Sequence, residues 1–513
     1  MNKTKRTITL GLSLLVAAGS FAGCSGKKGS SSDGDITLKY VLPGPGKQPD
    51  SDKVWKVMNE KIKEYKGLEN VSLDIQVVPA SDYSQKFTLW QTSGEKMDII
   101  QTYMLDYVKE SRNGTFLKLN DYTKKSEGLK KALPEFMWDY ALVDGNYYYV
   151  PNYQVLTHVD WSFATPKALS DKYWNAEKAQ ETICSETTFT DKCWDVIEDY
   201  LDKLSAAGKL EMGYYPFDVL SFTIEKGFER VSGKFWMRMD DPEHKVVYLD
   251  EVPEKINSFK RVSQLYKKGY IRSDIASAEG SNTDYGQNGG YTLWHEGGRV
   301  DPIFKEGTAE QLKKKHDMDI QLILNRDYDP IENYNAAGGT AVSAYSKYPD
   351  QAFRVIELIN SEEGKDVYNL FAFGIKDEHY KLIGETTVEP IGYVSQADSS
   401  SPYGLWKWNT GNCKFAYGLK TEDITGDQID EVNTAPTVKY PALLGFVADT
   451  TEIETEMAQL DTVFEEYKSL NTGNLPDVEK TYAEYMEKLN KAGLEKAREV
   501  LQKQVDEFFA SKK

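Results

Sequence analysis

Five segments of this 513-residue chain set aromatic rings beside hydrogen-bonding side chains in stretches that read as loops. They are Tyr103 with Asp106, the run Asn152-Tyr153-Gln154, Trp294 with Arg299, Tyr334, and Trp406-x-Trp408-Asn409. Flat π faces cover the apolar C–H faces of a sugar ring, while amide, carboxylate and guanidinium groups meet its hydroxyls. Any one of these side chains is as well explained by ordinary packing. Together, at expected strand ends and crossovers, they point to a non-covalent binding site for a carbohydrate.

Covalent chemistry lacks its motifs. His295-Glu296 is followed by Gly297-Gly298-Arg299 and so lacks the second His of a zinc protease. There is no Gly-x-Ser-x-Gly elbow, no Walker loop and no Cys-x-x-Cys. Gly44-x-Gly46 opens like a dinucleotide fingerprint, but Pro49 stands where the third glycine would allow close approach to a pyrophosphate. Asp327-x-Asp329 begins like a calcium loop, yet Ile331 occupies a ligand position and no Gly sits at the sixth. No catalytic residue, cofactor or metal is therefore expected. Two other readings stay open: a surface carbohydrate-active enzyme, which needs a converging carboxylate pair, and a binder of peptides or another solute.

The elements that must position these residues follow from periodicity. Ile36–Leu42 and Val71–Val78 alternate as strands, and Met97–Gln101 makes a third. Between them Val54, Met58, Ile62 and Tyr65 share one helix face behind a cap at Asp50 or Ser51, and a second helix is expected near Tyr83–Thr92. Strand–helix–strand repetition gives a parallel, doubly wound sheet, whose ligands sit beyond the carboxyl ends of its strands. Further on, Thr190 heads a helix with Trp194, Ile197, Leu201 and Leu204 on its buried face, Val252–Lys268 is amphipathic, and Ala352, Val355, Ile356 and Ile359 mark another helix. The tail reads as two long helices packed on the body, one over Ile453–Tyr467 and one over Tyr482–Phe508.

The N-terminus gives the compartment. Lys3, Lys5 and Arg6 precede an apolar run from Ile8 to Ala18 and then Phe21-Ala22-Gly23-Cys24, the plan of an export signal. The run is too short to span a bilayer comfortably. The Cys after two small residues is similar to the bacterial lipobox, with Phe21 where that motif usually has Leu. This resemblance implies cleavage of residues 1–23 and diacylation of Cys24. Residues 24–35 then form a Gly/Ser-rich leash without apolar side chains up to Ile36. Two acyl chains hold a protein on a membrane where one holds it only marginally.

Composition sets the remaining bounds. Length predicts two to three folding units. Asp plus Glu number 80 against 62 Lys plus Arg, a net charge of -18, so a nucleic-acid partner is excluded. Cys184 and Cys193 are candidates for a bridge that spacing alone does not decide.

Several segments resemble the extracellular solute-binding proteins of ABC importers, and more narrowly the lipoproteins that serve oligosaccharide uptake in Gram-positive bacteria. They are Met97-Asp98-Ile99-Ile100, Gly145-Asn146-Tyr147-Tyr148-Tyr149-Val150-Pro151-Asn152, and Gly338-Gly339-Thr340-Ala341-Val342-Ser343 through Ser346-Lys347-Tyr348-Pro349. For the narrower group they are Asn369–Ile375 with Glu378-His379-Tyr380, Lys491-Ala492-Gly493-Leu494 and Gln502-Lys503-Gln504. The resemblance implies an α/β, two-lobed, type II periplasmic-binding-protein-like fold, each lobe a doubly wound sheet, with ligand in the cleft between them. It places the first lobe at about 36–153 plus 333–375, the second at 154–332 plus 376–450, and the helices of 451–513 outside. It implies a monomer on the outer face of the cell membrane that hands an oligosaccharide to ABC permease subunits and their ATPase.

Overall fold

The computed structural model describes residues 34–157, 160–210, 213–216, 225–277, 291–298, 309–331, 338–420 and 424–512. Ile36–Lys513 is one compact unit. The elements that matter for the site run in order β1 (Ile36–Gly44), α1 (Ser51–Ile62), β2 (Val71–Pro79), α2 (Tyr83–Ser93), β3 (Ile99–Gln101), α3 (Tyr107–Arg112) and β4 (Tyr149–Pro151). Then come β5 (Asp160–Pro166), α4 (Asp191–Ala206), β6 (Phe228–Ser232), β7 (Phe235–Arg238), β8 (Val246–Tyr248), α5 (Pro253–Lys267), β9 (Trp294–Gly298), β10 (Ile320–Ile323) and β11 (Asp329–Pro330). The chain returns through β12 (Gly339–Val342), α6 (Pro349–Ile359), α7 (Lys365–Phe373) and β13 (Val438–Lys439), and ends in α8 (Glu454–Glu466), α9 (Val478–Lys491) and α10 (Leu494–Ser511).

The first lobe is built on a sheet of order β2-β1-β3-β12-β4. β1 runs parallel to β2 and β3, while β12 is antiparallel to both β3 and β4. Ile36, Leu38, Tyr40 and Leu42 of β1 join one apolar cluster with Val54, Met58 and Ile62 of α1 and with α6 and α7. Val41, on the opposite pleat, joins Tyr83 and Phe87 of α2, Val108 of α3 and Ile100 in another. Helices on both faces are what a strand buried on both sides requires.

In the second lobe β5 pairs antiparallel with β9 and β10, and Tyr214 bridges Leu293 in the parallel sense. α4 lays Trp194, Ile197, Tyr200, Leu201 and Leu204 into this core. Cys184 and Cys193 form no disulfide. The Cys184 sulfur accepts from Gln180, and Cys193 lies on the buried face of α4.

Two expectations are corrected here. The resemblance places 376–450 in the second lobe, but Tyr380, Val388, Tyr403, Leu405, Cys413 and Ile429 pack into the first-lobe cluster, and only the end of the segment, with Leu443 and Phe446, joins the β6–β8 cluster. Their partners, Phe371 and Phe373 among them, lie on the helix just before, so the chain stays with the lobe it had re-entered. The second tail helix also proves to be two. Gly493 adopts φ +96°, which L side chains avoid, and a Cβ there would stand 2.5 Å from Glu456 Cγ. The α9–α10 hairpin therefore folds back against α8, and Leu489, Ala497, Leu501 and Val505 cover Phe235, Met237 and Tyr248 of the β6–β8 sheet.

Candidate functional site

The carboxyl ends of β1, β3 and β4 and the amino end of β12 meet at one edge of the first-lobe sheet. Three short connections converge there. The Thr102 amide donates to the Gly339 carbonyl at 2.8 Å, the Gly339 amide donates back to Thr102 Oγ1 at 3.0 Å, and the Asn152 amide donates to the Gly338 carbonyl at 3.1 Å. Gly338 has φ +61°, and a Cβ on it would lie 2.9 Å from Tyr103 Cβ, so only glycine lets the two backbones approach.

A fourth segment, Leu405–Thr410, is drawn onto this edge by amides. Asn409 is fully buried and its Nδ2 donates to the Pro43 carbonyl at the end of β1, at 2.9 Å. Gln101, also fully buried, donates from Nε2 to the Asn409 carbonyl at 2.8 Å and accepts the Tyr103 amide at 2.6 Å. The Tyr368 hydroxyl donates to the Lys407 carbonyl at 2.7 Å from below. The result is an aromatic platform. Trp406 and Trp408 stack with centroids 5.2 Å apart and planes 13° from parallel. Tyr103 meets Trp408 edge-on at 4.9 Å and 85°. All three rings are half-buried, so each keeps surface available to a ligand.

Beside Tyr103 the backbone is strained. Met104 takes φ +69° and is 44% exposed, a conformation that a residue with a long side chain adopts only when its surroundings impose it. Asp106 is exposed, and its Oδ1 accepts the Lys109 amide at 3.0 Å as the cap of α3.

The structure thus brings together Tyr103, Trp406, Trp408 and Asn409 from the sequence-based candidates, with Asn152 beside them. Asn152 is fully buried, and neither its amide nitrogen nor its oxygen finds a partner among the described residues. Tyr153 is likewise buried in the first-lobe core, 6.4 Å from the Phe136 ring, and burial raises its phenol well above the usual value. Gln154 serves through its carbonyl, which accepts from Asn433 Nδ2 at 2.8 Å. Trp294 is no platform: its indole is 1% exposed in the second-lobe core, 5.4 Å from His316. Arg299, Tyr334 and Cys24 lie outside the described residues.

Gln101 and Met104 fall in the stretch Gln101–Asp106 at the carboxyl end of the third strand, where a doubly wound sheet places its ligand, but neither is singled out as a contact by sequence. A polar residue closing an apolar strand, Ile99-Ile100-Gln101, was the available signal for the first. Nothing local marks the second.

Asp50, Glu378 and His379 hold their ligating atoms within 4.8 Å of one another. His379 Nδ1 accepts the Ile375 amide at 2.9 Å, which leaves the ring proton on Nε2 to face Asp50 Oδ2 at 3.3 Å. Glu378 is ion-paired with Lys53. With each ligand atom already engaged, the group ties the segment after α7 to the start of α1.

Residues 442–510 match the model of a domain of unknown function, DUF3502. Over 516 residues the chain is 27% identical to the carbohydrate ABC transporter substrate-binding protein of Streptococcus pneumoniae serotype 4 (strain ATCC BAA-334 / TIGR4), covering 97% of this chain and 96% of that one. Among solved structures it is similar to the N-glycan transport solute-binding protein NgtS of Streptococcus pneumoniae, with a TM-score of 0.69 and 23% identity over 93% of this chain and 100% of that one. The same protein in complex with Man1GlcNAc superposes with a TM-score of 0.58, at 23% identity over 92% of this chain and 99% of that one. The fold is that of a two-lobed solute-binding protein.

Proposed function

We propose that this chain is a lipid-anchored extracellular solute-binding protein that captures an oligosaccharide and delivers it to an ABC importer. The observation that carries this is the stacked Trp406–Trp408 pair with Tyr103 at its edge, at the carboxyl ends of the first-lobe strands. Fixed, half-exposed rings at that edge are what a sugar needs and what an α/β sheet is shaped to offer. The nature of its relatives supports the same reading: one is a carbohydrate substrate-binding protein, and another is solved with Man1GlcNAc and Man5GlcNAc.

The protein does no covalent chemistry in this role. Binding free energy shifts the lobes toward a closed form that the permease recognises. A dissociation constant in the micromolar range, about -8 kcal/mol, suits capture followed by release. The basic start, apolar run and Cys24 support export and a thioether-linked lipid, with residues 25–35 as leash. No helix among the described residues is long and apolar enough to cross a membrane.

The test is a thermal-shift screen of residues 25–513 against Man1GlcNAc, Man5GlcNAc, kestose, alginate oligomers and a peptide panel, with each mixture checked for product afterwards. A ligand raises the melting temperature as its concentration exceeds the dissociation constant. A shift with one glycan series, and intact glycan at the end, is expected. A shift with peptides alone would overturn the carbohydrate reading, and cleaved glycan would replace binder by enzyme.

A further inference from the structure

Residues 442–510, the stretch that matches the domain of unknown function, touch both lobes. Their helices rest on the second: Leu489, Ala497, Leu501 and Val505 cover the β6–β8 sheet, whose Phe228 and Trp236 join the second-lobe core. The segment leading into those helices divides its side chains between the lobes. Leu443 and Phe446 turn to the cluster the tail shares with β6–β8, while Leu444 and Val447 pack with the two clusters of the first lobe. Between them Gly445 takes φ +83°, and a Cβ there would stand 3.1 Å from the Asp139 carbonyl oxygen of the first lobe.

A polar relay joins this module to the binding edge. Arg112, the last residue of α3, forks onto Asp144: Nε donates to Oδ2 and Nη2 to Oδ1, both at 3.0 Å. That pairing fixes the guanidinium plane and leaves Nη1 to meet Asp449 Oδ2 at 2.7 Å. Asp449 is fastened to α10 through its backbone: its amide donates to Gln504 Oε1 at 2.7 Å, and its carbonyl accepts from Gln504 Nε2 at 2.9 Å. The Thr451 amide donates to Asp449 Oδ1 at 3.0 Å, so the carboxylate is oriented from the tail side. Contact thus runs from α10 through Asp449 and Arg112 into α3.

α3 starts at the turn that carries the edge of the platform. Tyr103 and the strained Met104 lie just before it, and Asp106 caps it. Six helical residues span only about 9 Å, so a hold on Arg112 is a hold on that turn. A half-exposed ion pair adds little to stability. What its forked, braced geometry does supply is orientation.

We propose that residues 442–510 form a positioning module: seated on the second lobe, they grip α3 through the Asp449–Arg112 pair and hold the Tyr103–Asp106 turn where the platform needs it. Arg112 and Asp449 are positioning residues that act on the ligand through Tyr103. This rests on the carbohydrate reading above for its ligand and deepens it.

The test uses two readouts on residues 25–513. The first needs no ligand: hydrogen exchange of the amides of Tyr103–Arg112. Asp449→Asn keeps the side-chain shape and removes its charge, and Gln504→Leu cuts the pair from α10 without touching it. Each should speed exchange in that stretch several-fold while β1 and α1 exchange as in wild type. The second is calorimetry with whichever uncharged glycan binds, Man5GlcNAc first. Asp449→Asn and Arg112→Met should each raise Kd about three- to fivefold, the double variant no further than either alone, and Arg112→Lys should recover part of the loss. Wild-type affinity for that glycan should also weaken between about 50 and about 500 mM NaCl, as screening loosens the pair, and the Asp449→Asn affinity should not. Wild-type exchange in both tail variants, faster exchange with an unchanged Kd, or additive losses in the double variant would each overturn the proposal. If no glycan binds wild type, the carbohydrate reading falls, and exchange alone decides whether the tail holds α3.

Discussion

Trp408 occupies a different position from every other tryptophan the sequence offered: it is stacked on Trp406, braced by Tyr103 and still half-exposed. Replacing it by Ala should cost on the order of 2 kcal/mol of glycan binding, about thirtyfold in Kd, because truncation removes a rigid face that excludes water. Calorimetry reads this directly, and an unchanged Kd would take the indole out of the site. Asn152 predicts the reverse pattern. Its side chain is buried with no partner among the described residues, so Asn152→Leu, an apolar group of similar shape, should melt no lower than wild type. A loss of several degrees would show that the amide is satisfied after all. The aromatic part of the site was legible because Trp-x-Trp beside an Asn in a polar stretch has no helical or strand periodicity to absorb it. Trp294 carried the same residue type and the same polar neighbours, yet its burial is set by Ala164, 130 positions away in sequence, across a strand pair. No local pattern encodes that.

β9 carries a second consequence of burial. His295 sits in the second-lobe core between the Phe163 ring at 4.8 Å and the Tyr214 ring at 5.9 Å, and desolvation pushes its pKa down to about 3. Its neighbour Glu296 is opposed by the same burial, but His316 at 2.6 Å and Lys315 at 2.8 Å outweigh it and hold the carboxyl below its usual value. Both signs agree. The unfolded chain takes up a proton on His295 below about pH 6.5 that the folded chain refuses until about pH 3, so stability is fully present above that window and declines as pH falls. One such group gives a slope of up to about 1.4 kcal/mol per pH unit. The Glu296 contribution is lost in the same direction as pH falls through the carboxylate range. His295→Leu should therefore flatten the dependence of melting temperature on pH between 6.5 and 4.5, and a profile parallel to wild type would place the acid lability elsewhere. At this scale most of the chain was readable: α1 buries Val54, Met58 and Ile62 as its spacing requires, and α4 and α6 do likewise. The α9–α10 break was not, because Tyr482, Met486 and Leu489 and then Ala497 and Leu501 keep a helix-like repeat across Gly493. Only the approach of Glu456 from α8 makes that glycine a turn.

Between the lobes the chain crosses more than once, and the crossings are fastened to each other. β11 pairs with β13, Thr157 bridges Ile331, and the fully buried Asn433 fastens the 154–156 segment to the one that carries Tyr440. Its Oδ1 accepts the Leu156 amide and its Nδ2 donates to the Gln154 carbonyl, both at 2.8 Å, while its own carbonyl accepts the Tyr440 hydroxyl at 2.7 Å. That knot was invisible in sequence, since it joins residues more than 270 positions apart. Its mechanical meaning can be tested. Asn433→Ala leaves two half-buried backbone groups without their partner, at about 1 kcal/mol, and frees the crossings to sample more lobe dispositions. If binding requires one disposition, apparent affinity falls in proportion to the fraction of molecules that hold it. Asn433→Ala should then weaken glycan binding up to about tenfold although no platform residue is touched, and small-angle scattering should show a broader unliganded ensemble that still contracts when glycan is added. Trp408→Ala makes the opposite signature, weak binding with scattering from the free protein unchanged. A hinge variant that scatters and binds like wild type would mean that the lobes are held by their packing rather than by the crossings, and ligand closure would have to be sought in the loops that line the cleft.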